Sequence, residues 1–156
     1  DGLIENIPNR GAFVVGLSFD DIEDMYELRK VYEIQAVKWA IVRITEDEME
    51  QLEETFEFME FYTMKNDIDK MLNINTGFHQ IIYNASHNRM LLQLLSSYQV
   101  YIKYSRPVIS FAPDYLATVL EEHRRIFEAF KSKDPEEGSN AMEYHMNCSI
   151  SRKLSK

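Results

Sequence analysis

The sequence predicts an all-α fold, an antiparallel bundle of about six helices, and three observations carry that expectation. Only five Gly and four Pro occur in 156 residues, too few for a fold rich in turns. Leu, Met, Glu, Lys and Ala, all strong helix formers, dominate long stretches. Apolar residues then recur at helical spacing in six segments, each separated from the next by a short run of capping or turn residues.

The helical pattern opens after Ser18, and the first helix is expected over about Asp21 to Ile44. Thr45-Glu46-Asp47-Glu48 reads as a capping box, which starts a second helix that runs to about Lys65. A third begins near Asp67 and ends around Ala85 to Asn88. The fourth covers Met90 to Ser105 and is stopped by Pro107. Pro113-Asp114 opens a fifth, extending to about Lys131. Asp134-Pro135-Glu136-Glu137 starts the sixth: Asp caps, Pro takes the first turn, and two acids meet the positive end of the helix dipole. Short connections between helices of this length favour a bundle.

Residues 1 to 15 read differently. Leu3-Ile4 and Phe13 to Val15 are short apolar runs on either side of Pro8-Asn9-Arg10-Gly11, the pattern of strand, turn and strand. An isolated two-stranded hairpin is marginal in water, so this one is expected to be the remnant of another domain. The expected organisation is therefore a remnant at 1–15, a linker at 16–20, and a helical domain at 21–156.

Composition narrows the function. A formal charge of −9 argues against this segment gripping nucleic acid by itself, because phosphate binding needs a cationic surface. One cysteine, Cys148, excludes an internal disulfide and suits a reducing cytoplasm. No apolar run approaches the roughly 18 residues that a membrane span needs, and Asp1 to Asn9 lacks the apolar core of a signal peptide. The expectation is a cytoplasmic protein without a membrane partner.

The most informative feature is where polar residues interrupt apolar stripes. In the third helix Ile68, Met71, Leu72, Phe78 and Ile82 share a face with Asn75 and His79, which lie four apart. His123 sits within the stripe Leu116, Val119, Leu120, Ile126, Phe127 and Phe130 of the fifth helix. His145 is bracketed by Ala141, Met142 and Cys148 in the sixth, and Arg29 interrupts Ile22, Met25, Tyr32, Ala36 and Ala40 in the first. Buried polar groups need partners. Three histidines and an amide on three helices can satisfy one another through a cation, and imidazole suits zinc, nickel, copper or iron. Arg29 would then stand ready for an anion. Any one of these histidines taken alone is more often an ordinary core residue. Arg29 with Glu33 also has the spacing of an ordinary i,i+4 surface pair, and His87 falls in a turn, where a structural or exposed role suffices.

These residues carry a family resemblance. Leu28-Arg29-x-x-x-Glu33 is similar to the L-R-x-x-x-E segment of the FCD domain, the effector-binding domain of the FadR-like branch of GntR regulators. Asn75 to His79 resembles that family's D-x-x-F-H, and Ala85 to Leu91 its helix junction. Glu122-His123-Arg124-Arg125-Ile126 followed by Ala129 resembles E-H-x-x-I-x-x-A, and Ala141 to His145 the closing A-x-x-x-H. Together these motifs span about Asp20 to Met146 in the family's order. Pro8-Asn9-Arg10-Gly11-Ala12-Phe13-Val14 resembles the end of the wing of the family's winged-helix domain. That makes Arg10 and Gly11 expected DNA contacts of an intact regulator.

The resemblance implies a divalent metal, zinc or nickel, held by Asn75, His79, His123 and His145. Asn75 departs from the family, where aspartate is usual, so the ligand set carries no negative charge. An anionic effector would supply it, which points to a small carboxylate, with Arg29 clamping a second oxygen through its planar fork. A metal-free polar pocket that binds the effector directly is the alternative. The resemblance further implies a homodimer that meets near-palindromic operator DNA through an N-terminal domain, and no enzymatic activity. The rival from another class is a metal-dependent enzyme of helical-bundle type, since three histidines with an open position also describe catalytic zinc. Against it, no acid or base is obviously placed; Glu122 adjoins His123 but should point about 100° away from it around the helix. A purely structural dimerisation module ranks third.

Overall fold

In the computed structural model, residues 4–7, 11–14, 18–105 and 111–154 are described. Six helices follow a short hairpin: β1 (Ile4–Ile7), β2 (Gly11–Val14), α1 (Phe19–Arg43), α2 (Glu46–Met64), α3 (Ile68–Ala85), α4 (Arg89–Ser105), α5 (Tyr115–Lys131) and α6 (Pro135–Leu154). The strands are antiparallel, with Ile4 opposite Val14 and Ile7 opposite Gly11. They lie deeper toward the turn than the apolar runs at Leu3-Ile4 and Phe13 to Val15. Arg10, the first part of the expected linker at 16–17, and Pro107 lie outside the described residues.

α1 begins two residues earlier than periodicity places it, inside the stretch expected to be linker. The cause is a capping box: Ser18 accepts from the Asp21 backbone N–H at 3.1 Å, and Asp21 accepts from the Ser18 N–H at 3.0 Å. Aspartate in place of the usual Glu or Gln at the third position hides this signal in the sequence. α2 has the box that its sequence predicts, with Thr45 and Glu48 in the reciprocal roles.

Two of the turns use one aspartate twice. α2 ends with Asn66 at φ 56°, the Asp67 N–H bonding Tyr62 O and the Asn66 N–H bonding Thr63 O. α5 ends in the same way, with Lys133 at φ 53°, Asp134 N–H on Ala129 O, and Lys133 N–H on Phe130 O. These are Schellman closures with a non-glycine residue in the left-handed position. The aspartate that closes each helix then caps the next. Asp67 accepts from Lys70 N–H at 3.2 Å, and Asp134 from Glu137 N–H at 3.0 Å. The chain therefore reverses within three residues at both places.

α1 is the central helix, packed against α3, α4 and α6, while α2 packs on α3 and α5, and α5 on α6. A core of mostly aliphatic side chains joins all six helices, and Phe56 of α2 stacks on Phe127 of α5 at 4.9 Å. α1 and α6 approach so closely at Gly138 that an added Cβ would lie 2.3 Å from Ile41 Cδ1, so only glycine fits without rearrangement. Among the described residues, no helix is long and apolar enough to cross a membrane.

The α2 box carries a pH signature. Burial raises the Glu48 carboxyl pKa, but the Thr45 backbone N–H and the His87 ring at 2.9 Å outweigh it and leave it below the usual 4.5. A depressed folded pKa stabilises above the unfolded value, and that contribution is lost as pH falls through the folded value. Thr45→Ala should cost about 1 kcal/mol in urea denaturation at neutral pH. Glu48→Ala should lose less melting temperature than the parent between neutral pH and pH of about 3.5.

Candidate functional site

α3, α5 and α6 bring His79, His123 and His145 together in the interior, with 2%, 0% and 4% of their surfaces exposed. One ligating atom from each lies within 4.8 Å of the others. His79 and His123 meet at 3.2 Å through their Nε2 atoms, and the His123 and His145 rings lie 4.3 Å apart. The apolar stripes that the sequence shows on the three helices are the reason. Each stripe faces the core, so a histidine inside each stripe is carried to a common point.

Every ring has its other nitrogen occupied. His123 Nδ1 donates to Val119 O, 2.7 Å away on its own helix. His79 Nδ1 lies 3.2 Å from Glu33 Oε1, and His145 Nδ1 lies 2.6 Å from Glu122 Oε1. A carbonyl or carboxylate oxygen only accepts, so these contacts place hydrogen on Nδ1 and leave Nε2 as the open lone pair. Burial, then the neighbouring His145 and His79, hold His123 well below its ordinary pKa. Burial followed by His79 and Arg29 does the same for His145. Both rings are therefore neutral at physiological pH, the form in which imidazole binds a metal.

Asn75 lies one turn before His79 on α3, and its buried Oδ1 has no hydrogen-bond partner. An orphaned carbonyl oxygen in the interior costs free energy unless a donor or cation meets it. Asn75, His79 and Arg29 line one cavity of about 440 Å³ between α3 and α4. Its wall includes Asn73 from α3 and Ser96 and Gln99 from α4, and among the described residues no carboxylate. The volume falls in the range of small-molecule sites.

Arg29 is not the surface partner of Glu33 that the i,i+4 spacing alone allows. Both side chains are buried, at 10% and 0% exposure, and Arg29 Nε donates to Glu33 Oε2 at 3.0 Å. Tyr83 OH also donates a short hydrogen bond to Glu33 Oε2. Burial works to raise the Glu33 carboxyl, but His79, Arg29 and the hydrogen bonds from His79 and Tyr83 bring it down to about 2. Arg29 accordingly reaches the cavity with its charge already balanced, which tempers its expected role as an open anion receptor.

Glu122 is a site residue that the sequence reading passed over. The 100° argument turns it away from His123, correctly, but not into solvent. It is 5% exposed and bonds His145 on α6, while Arg152 Nη1 and Nη2 hold its two oxygens at 2.8 and 2.9 Å. The missed signal is a second stripe: Val119, Glu122, Ile126 and Ala129 recur at helical spacing, and all are buried. Glu122 interrupts that stripe as His123 interrupts the first. Of the other singled-out residues, Gly11 opens β2 opposite Ile7. His87 turns the α3–α4 connection at φ 51° and pairs with Glu48.

Comparisons with known proteins bear on the family and the fold. The FCD domain matches residues 24–147. The chain belongs to that family, the effector-binding domain of FadR-like GntR regulators. It is 32% identical over 152 residues to the uncharacterized HTH-type transcriptional regulator YdhC of Bacillus subtilis, covering 94% of this chain and 66% of that one. The putative L-lactate dehydrogenase operon regulatory protein of Escherichia coli is 27% identical over 128 residues, 80% of this chain and 48% of that one. The chain thus spans about half to two thirds of the length of these relatives. Among solved structures, Escherichia coli McbR/YncC superposes with a TM-score of 0.79 at 22% identity, over 96% of this chain and 71% of that one. Streptococcus agalactiae GntR does so at 0.70 and 23%, over 96% and 74%. These confirm the six-helix fold. The family and these relatives are transcriptional regulators, not enzymes.

Removing Glu33 should be far more damaging than removing an exposed partner. Glu33→Ala leaves Arg29 buried without its counter-charge and should cost about 3–5 kcal/mol in urea denaturation. Glu137→Ala, which breaks the exposed pair with Arg125 at 2.9 Å, should cost under about 1 kcal/mol. Equal losses in the two variants would contradict this account.

Proposed function

We propose that this domain senses a small carboxylate for a DNA-binding transcriptional repressor acting in the cytoplasm, through a divalent metal held by His79, His123, His145 and Asn75. The observation that carries the reading is the 3.2 Å approach of two Nε2 atoms whose rings already carry hydrogen on Nδ1. Without a proton or a cation between them, two lone pairs of buried rings face each other. Two nitrogens each about 2.0–2.1 Å from one zinc ion can stand about 3 Å apart, so the observed spacing fits zinc, and nickel accepts the same imidazoles. The unpartnered Asn75 oxygen suits a fourth ligand. When bound, the metal supplies positive charge and a coordination position for a carboxylate.

The chain's own residues do the rest. Glu33, the Val119 carbonyl and Glu122 hold the three rings in one tautomer and orientation. The Arg29 guanidinium faces the same cavity, where it orients a second carboxylate oxygen, while Asn73, Ser96 and Gln99 offer neutral hydrogen bonds to the remainder of the effector. Ligand contacts from α1, α3 and α4 would favour one arrangement of these helices over another, and only such differential binding can shift operator affinity. The hairpin at 4–14 fits the wing of a winged-helix domain, with Arg10 and Gly11 meeting DNA in the intact homodimer.

Elemental analysis of the purified domain tests the metal directly. Near-stoichiometric metal in the parent and none in a His79→Ala, His123→Ala double variant is expected. Absence of metal in the parent, even after reconstitution, would leave a metal-free pocket in its place. Asn75→Asp, which adds a charged ligand, should tighten Zn²⁺ binding by about tenfold or more in a chelator competition. In the full-length regulator, Arg29→Lys, which keeps a positive charge beside Glu33 but loses the planar fork, should weaken the effector response strongly while sparing the helical fold by circular dichroism.

A further inference from the structure

Among the described residues Glu122 does not line the cavity, and its carboxylate meets His145 and Arg152 instead. A carboxylate with 3% of its side chain exposed needs strong partners, and it has two: His145 Nδ1 at 2.6 Å and the Arg152 fork at 2.8 and 2.9 Å. The contact to His145 is the shorter of the two carboxylate–histidine contacts in the site, against 3.2 Å from Glu33 to His79. The counter-charges differ as well. Glu33 faces a buried guanidinium, whereas the Arg152 side chain is 29% exposed and its charge is shared with water. More of the Glu122 charge is therefore left to act on the imidazole.

From this we infer that Glu122 is the positioning residue that supplies, through His145, the negative charge that Asn75 withholds from the metal. Three imidazoles and an amide form a neutral ligand set. A carboxylate that accepts the Nδ1 hydrogen pushes electron density toward Nε2 and fixes the ring plane, so the ligand becomes a stronger donor without Glu122 touching the ion. Arg152, reaching back from the end of α6, holds both oxygens in place and sets the carboxylate plane. This inference rests on the metal reading above and adds the residue that tunes it.

The test is Zn²⁺ affinity of the purified domain by chelator competition, with the absorption spectrum of bound Co²⁺ as a second readout. Glu122→Gln should weaken Zn²⁺ binding about 10- to 100-fold and shift the Co²⁺ bands, with the melting temperature of the metal-free protein little changed. Adding Asn75→Asp to Glu122→Gln should restore at least tenfold of the loss, because a charge placed directly on the metal replaces the one removed behind His145. Zn²⁺ affinity unchanged in Glu122→Gln would overturn this inference and leave the metal site standing. A loss that Asn75→Asp fails to restore would reduce Glu122 to a packing role and also overturn it. No Zn²⁺ or Co²⁺ binding by the parent would overturn both readings. Should Glu122→Gln fail to fold, Glu122→Asp keeps the charge but draws it back from His145 Nδ1: Zn²⁺ affinity should fall several-fold, and an unchanged affinity would count against the inference.

Discussion

Glu33 has no access to solvent, so its charge must be balanced within the bundle, and that requirement ties the site to the fold. The carboxylate reaches it by accepting from Arg29 on its own helix and from His79 and Tyr83 on α3. Three donors on one carboxylate compensate for lost water, and they do so only if α1 and α3 sit in a single register. The same contacts fix the His79 ring, bring Arg29 to the cavity, and cross the interface between the helix that packs against most of the others and the helix that carries Asn75. Stability and ligand geometry share one set of hydrogen bonds here.

A second carboxylate repeats the device between α5 and α6, where Glu122 joins His145 and Arg152. Between the two lies His123, held by a main-chain oxygen of its own helix. Three rings are thus oriented by three different kinds of support, one from α1, one from α5 to α6, and one local. Each support occupies Nδ1 and opens Nε2 toward a shared point. A core built merely to be stable would fill this space with aliphatic side chains, since buried imidazoles and carboxylates bring desolvation costs that hydrocarbon does not. Their concentration beside a cavity is the physical reason to read them as a binding site.

The fold was legible because its signals are local. The Thr45–Glu48 box and the Asp134-Pro135 start describe their own few residues of backbone, and both stand in the structure as the sequence implies. Where a local signal had an unusual form, it was missed: Asp21 completes the Ser18 box in a place where Glu or Gln is the familiar partner. His79, His123 and His145 were legible for a related reason. Each interrupts an apolar stripe, and a stripe announces which way its members face.

The partners of those histidines were not legible in the same way. Arg29 and Glu33 have the spacing of a solvated pair, and only the packing of α3 over α1 makes them a buried one. Glu122 was set aside because it points away from His123. What matters is that it points toward α6, which no property of α5 alone reveals. The sequence by itself determined six helices, most of their starts, and the inward turn of the three histidines, because periodicity and capping act within one or two helical turns. Tertiary structure alone decided which inward groups meet, since a contact between residues 44 or 46 positions apart depends on how whole helices cross.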